Sequence, residues 1–146
     1  MPFSAYHLPA LFIATTQTLG GIWPIFFNTS SAMIEFGLPP RIAYSPEGQT
    51  AFVVGAARTS VIGLIMWMLY LRGKYKELDG VLVVLGTVLG AVDYWVCANE
   101  GLGSWGAFRL LSGVVIAGWG SCQLGLEAHL YRLGLKVQFL TPRRTI

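Results

Sequence analysis

Charge is scarce in this chain. Only 12% of its 146 residues are Asp, Glu, Lys or Arg, about half the share usual in a soluble domain. Hydrophobic residues make up 54%, and a chain this short, folded in water, would leave much of that surface wet. A soluble globular domain is thereby excluded, and an integral membrane protein is expected. Cysteine is scarce too. Cys97 and Cys122 form no C-x-x-C pair, so neither a disulfide framework nor a zinc site is expected, and each thiol should face lipid or core. No glycine-rich phosphate loop, metal-ligand spacing or catalytic triad stands in the sequence, and no cofactor is called for. The net charge of +3 forms no basic stripe, which argues against nucleic acid as a partner. The N-terminus lacks a basic n-region and a small-residue cleavage site, so no cleaved signal peptide is expected. Pro2 precludes myristoylation and the final RRTI is no prenylation box.

What is present is apolar length. Four segments, about 8–27, 50–71, 79–98 and 106–130, each approach the roughly 20 residues that a spanning helix needs. They predict an all-α fold, a four-helix transmembrane bundle forming a single domain over residues 1–146. Segment 28–49 holds three prolines and mixed charge and reads as a loop, with FGLPP as a rigid turn. Pro24 should kink or end the first span. Basic residues orient the bundle. Arg72, Lys74 and Lys76 lie between spans two and three, and Arg132, Lys136, Arg143 and Arg144 follow span four. Both termini are therefore expected in the cytoplasm, with the endoplasmic reticulum the expected membrane. Asn28 opens a formal glycosylation sequon, so close to the first span that it should stay unmodified. Trp23, Trp95 and Trp105 read as interface anchors.

Inside this hydrocarbon-soluble pattern lie a few expensive residues. Arg58 interrupts GAARTSVIGL, and an unpaired charge at membrane depth costs roughly 2.5–3.5 kcal/mol on insertion scales. Counting 1.5 Å per residue from the span ends brings Arg58, Asp93, Arg109 and Glu100 toward one half of the bundle, with Arg58–Asp93 the preferred pair. Two roles stand open for it: an ion pair that locks two spans, or the polar wall of a functional pocket. Tyr94, Gln17 and the threonines at 15, 16 and 18 could add lining, although Ser and Thr in lipid more often bond back to their own helix. Glu127, His129 and Arg132 read as an interfacial cluster. Gly86-x-x-x-Gly90 and the glycines of span four should allow close helix packing.

EFGLP at 35–39, GAARTSVIGL at 55–64 and GAVDYWV at 90–96, followed by a glycine-rich last span, resemble a family of small four-helix membrane proteins catalogued as a domain of unknown function. Members occur in fungi and bacteria. The resemblance covers about residues 15–125 and places the family's arginine and aspartate on Arg58 and Asp93. The position after the arginine is often Asp in the family and is Thr59 here, which removes the nearest acid on the same helix. Fungal members commonly lie beside genes for polyketide or terpenoid biosynthesis. That implies a membrane-embedded enzyme of secondary-metabolite biosynthesis, a cyclase, isomerase or epoxide-opening catalyst. Asp93 and Arg58 would be catalytic; Arg109, Glu100, Tyr94 and Gln17 would bind a lipophilic small molecule. The alternative is a non-catalytic scaffold or accessory subunit, working as a homo-oligomer or with a biosynthetic enzyme.

Overall fold

Three glycines set the corners of the chain. Gly37, Gly73 and Gly101 all have positive φ, at 96°, 69° and 76°, where a Cβ would be strained. Each closes a helix in the same way. The Gly73 amide donates to Tyr70 O and the Lys74 amide to Leu69 O, both at 2.9 Å, the paired bonds that satisfy the last carbonyls of a helix. Gly37–Leu38 and Gly101–Leu102 repeat the arrangement. The structure, a computed structural model, describes residues 5–132. Among these, every element is helical and there is no strand.

A 3₁₀ turn at Ala5–His7 leads into α1, Leu8–Phe26. Pro24 lies inside α1 rather than ending it; its carbonyl accepts from the Thr29 hydroxyl at 2.8 Å. The expected loop at 28–49 instead contains two short helices, α2 at Thr29–Glu35 and α3 at Pro40–Ala43. Asn28 caps α2 through its side chain, which accepts from the Ser31 amide at 3.1 Å, and Pro40 supplies the preset φ of the first turn of α3. Ser45 caps α4, Pro46–Leu71, by accepting from the Gly48 amide at 3.0 Å. α5 runs Tyr75–Asn99, with a π-helical turn at Leu85–Leu89. α6 covers Gly103–Arg132. The helices therefore extend the expected spans by three to four residues at their starts in α4, α5 and α6, because caps and polar first turns are helical without being apolar.

The four long helices pack as two pairs, α1 with α4 and α5 with α6. Small residues make both contacts close. A Cβ on Gly63 of α4 would lie 2.6 Å from Ala14 O of α1, and one on Gly113 of α6 would lie 2.9 Å from Gly90 Cα of α5. The Ser60 hydroxyl crosses from α4 to donate to Thr18 O at 3.0 Å. The pairs meet near the start of α1, where Ala10, Ala14, Met66, Leu78, Leu82 and Leu85 form the buried core. Past the π turn, α5 packs mainly on α6.

Outside this narrow core the molecule is apolar on its surface. Phe12, Val61, Leu64, Val88, Val92, Phe108, Leu111 and Val115 are all exposed. α4 and α5 are long and apolar enough to cross a membrane, and only 17% and 28% of their most apolar windows are buried. A core helix of a soluble protein would show the reverse.

The glycine contacts make a direct test. Gly63→Ala is expected to lower stability by about 1–2 kcal/mol, since its methyl meets backbone that cannot yield. Gly55→Ala in the same helix has nothing within 4 Å of its new Cβ and should be neutral or stabilising by up to about 1 kcal/mol. Unfolding in mixed micelles compares the two; equal losses would contradict the packing described.

Candidate functional site

The far end of the bundle, away from the start of α1, carries the densest polar geometry. Arg109 of α6 lies one turn and a half inside its helix, and its Nη1 donates to Asp93 Oδ2 of α5 at 3.0 Å. Nη2 donates to the carbonyl of Phe36, just past α2. The guanidinium lies 3.6 Å from the Phe36 ring centroid, a cation–π contact. Phe36 in turn meets Phe52 of α4 edge-on at 5.5 Å. One stack thus ties α4, the α2–α3 segment, α6 and α5 together. Beside it Arg41 of α3 pairs with Glu100, at the turn between α5 and α6, and the Trp105 ring lies under Gly37 at 3.4 Å from the place a Cβ would take.

Asp93 is therefore paired as expected, but with Arg109 and not with Arg58. Arg58 lies on the exposed face of α4 and makes no ion pair or hydrogen bond among the described residues. The correction has a rotational cause. α4 turns Ser60 and Gly63 toward α1, and a residue two positions before Ser60 points roughly to the opposite side of a helix with 3.6 residues per turn. A residue count gives position along a helix and not the side that the residue faces. Arg58 instead lines an open depression of about 760 Å³ with Pro46, Glu47, Thr50, Ala51 and Val54, all residues of α4.

The other expected lining residues scatter. Glu100 belongs to Arg41. Tyr94 is 42% exposed, with its ring edge against Gly106. Gln17 is half-buried on α1, away from the charged stack. Its neighbours Thr15, Thr16 and Thr18 bond back to Leu11, Ile13 and Ala14 carbonyls of their own helix, and Thr59 does so to Gly55, so they present little polar surface. Cys97 is buried and Cys122 exposed, both free. His129 is exposed on α6; the Glu127 and Arg132 side chains of its expected cluster are not among those described, and Lys136, Arg143 and Arg144 lie outside the described residues.

A second polar cluster, absent from the expectations above, lies at the opposite end. Asp79 of α5 is 0% exposed and His7 is 3% exposed, with Nε2 3.5 Å from Asp79 Oδ2. The imidazole stacks on the Tyr75 ring at 4.4 Å, and Tyr75 meets Tyr70 of α4 at 5.5 Å. Neither Asp79 oxygen accepts a hydrogen bond from the described residues. Asp79 stands at the first position of the third expected span; the helix starts four residues earlier, at Tyr75, and carries it into the core. A fully buried carboxylate beside an imidazole is a costly arrangement that needs a counter-charge or a proton.

Chemically the two sites differ. The His7–Asp79 pair is sealed. At the far end the Asp93 side chain is 30% exposed, and its Oδ1 accepts no hydrogen bond from the described residues. Arg109 fixes this carboxylate through a charge-assisted bond and leaves one oxygen available to a molecule in the apolar surroundings. Among the described residues no three His, Cys, Asp or Glu side chains gather as a metal site. No curated protein and no solved structure matches the chain. A family model, described as a domain of unknown function (DUF4267), matches residues 14–122, a stretch that holds Arg58, Asp93, Arg109 and Asp79 alike. The chain belongs to that family.

Proposed function

We propose that this protein spans the membrane with four helices, α1, α4, α5 and α6, and acts there as a catalyst on a lipophilic secondary-metabolite intermediate. The reaction class is cyclisation, isomerisation or epoxide opening. Asp93 is the reacting group and Arg109, in place of Arg58, its positioning residue. One observation carries this reading: a carboxylate held by a guanidinium on one oxygen, unbonded on the other among the described residues, and 30% exposed.

The chemistry follows from the pair. The Arg109 guanidinium holds the Asp93 carboxylate by a charge-assisted bond, and we read Asp93 as a base or as a stabiliser of positive charge developing on the substrate. As a base it takes a proton from one substrate atom and returns it at another, so atoms and electrons balance with no further reactant. Positive charge in the Arg72, Lys74 and Lys76 loop, at the end where α1 starts, supports an orientation with that end in the cytoplasm; Arg41 at the other end is offset by Glu100. The endoplasmic reticulum is the proposed membrane.

The test is metabolite profiling of producing cells that carry Asp93→Asn, Asp93→Glu or Arg109→Lys, with membrane levels of each variant matched. Asp93→Asn should reduce the product roughly a hundredfold, the range of lost acid–base catalysis, and Asp93→Glu should retain part of it. Normal product from Asp93→Asn at a normal protein level would sink the catalytic reading. The second reading, a non-catalytic accessory subunit, is favoured by the exposed Arg58, which no described residue neutralises.

A further inference from the structure

Two of the ionic side chains set well inside the described long helices have an ionisable neighbour, and a third has none. Asp79 has His7, and Asp93 has Arg109. Arg58 has none among the described residues. It stands twelve residues after Pro46 and thirteen before Leu71, at the midpoint of α4, about 18 Å from either end. That is the most expensive depth for an unpaired charge, and an arginine stem covers only part of the distance to an interface.

The surface around Arg58 has the form of a helix seat. Glu47, Thr50, Ala51, Val54 and Arg58 repeat at intervals of three and four residues, so they share one face of α4. Ala51 and Gly55 keep that face low, and nothing lies within 4 Å of a Cβ built on Gly55. Small residues on an apolar helix permit close approach of another helix. Charge decides which one. A second copy seated symmetrically on this face would set Arg58 against Arg58. Glu47, eleven residues before Arg58 on the same face, lies about 16 Å away along the helix and cannot relieve that, while Asp79 is sealed and Asp93 is held by Arg109.

We infer that this face of α4 binds a transmembrane helix of another protein that carries a carboxylate near the middle of its span, paired with Arg58. The inference rests on α4 crossing the membrane, as proposed above. It adds a partner to the proposed activity and does not depend on Asp93 chemistry.

The full chain, labelled with a donor fluorophore, is reconstituted in phosphatidylcholine vesicles with acceptor-labelled single-span Leu/Ala peptides. These differ only in a central Asp, Asn or Leu. The Asp peptide should associate roughly tenfold more tightly than the Leu peptide, the scale of polar helix pairing in bilayers. Arg58→Gln should remove the difference and Arg58→Lys should keep most of it. Gly55→Leu, which blocks the seat and leaves Arg58 in place, should also weaken binding, and the open space at Gly55 leaves the fold intact.

Equal transfer to Asp and Leu peptides, or no change in Arg58→Gln, would overturn the partner. Stronger transfer between two copies of the chain than to the Asp peptide would overturn it in favour of self-association. Alkaline extraction of the same vesicles reads the spanning requirement separately. Release of the chain would overturn both the span and the partner, whereas retention with equal transfer overturns the partner alone.

Discussion

His7→Phe is expected to destabilise the protein by about 1–3 kcal/mol, the usual cost of depriving a buried polar group of its polar neighbour. Phenylalanine preserves the ring that stacks on Tyr75, so packing changes little and electrostatics dominates. Asp79 is then left in a core of Leu78, Leu82 and Met66 with no described group to offset it. The carboxyl must either remain ionised in a low-dielectric site or hold its own proton, and both states cost free energy. His7→Phe with Asp79→Leu should recover most of the loss, because replacing a whole buried pair with apolar side chains is commonly neutral or stabilising. Unfolding midpoints of the two single variants and the double variant, measured in mixed micelles, give the coupling directly. Additive losses would show that His7 and Asp79 do not stabilise each other.

The same residue pair shows where sequence reading stops. Apolar runs located all four long helices, since a stretch of about 20 apolar residues is informative without knowledge of its neighbours. The FGLPP turn was legible for the same reason: backbone chemistry is local. Arg109 beside Asp93 was half legible, because counting residues gives depth. It does not give the direction in which each helix is turned, and that direction depends on which small residues meet. Ser60 and Gly63 face α1, so Arg58 faces away; Gly90 and Gly113 meet, so Asp93 and Arg109 share a seam. His7 was overlooked because it precedes the apolar run, and a 3₁₀ turn folds it onto α5. No pattern in the first eight residues announces that contact. The short helix α3 was hidden by Pro40, which starts it, and α2 by its length of only seven residues.

Arg109→Met should cost about 3 kcal/mol and should act locally before it acts globally. The guanidinium spends its donors on two different elements, Asp93 of α5 and the carbonyl of Phe36. Methionine fills much of the same volume and keeps contact with the Phe36 ring, but it leaves a carboxylate without its counter-charge and a carbonyl without its donor. Arg41–Glu100 then remains as the other ionic tie between the α2–α3 segment and the α5–α6 pair among the described residues. It is largely exposed on the arginine side, at 71%, and exposed pairs contribute little. Amide exchange across residues 29–43 should therefore quicken in Arg109→Met, while exchange in the core around Leu78 and Leu82 stays near the wild-type rate. Adding Asp93→Leu should restore global stability, because the uncompensated carboxylate is gone, yet leave exchange in 29–43 fast, because the bond to the Phe36 carbonyl is still missing. A double variant that recovers both would place the whole effect on the charge pair and none on the tie to Phe36.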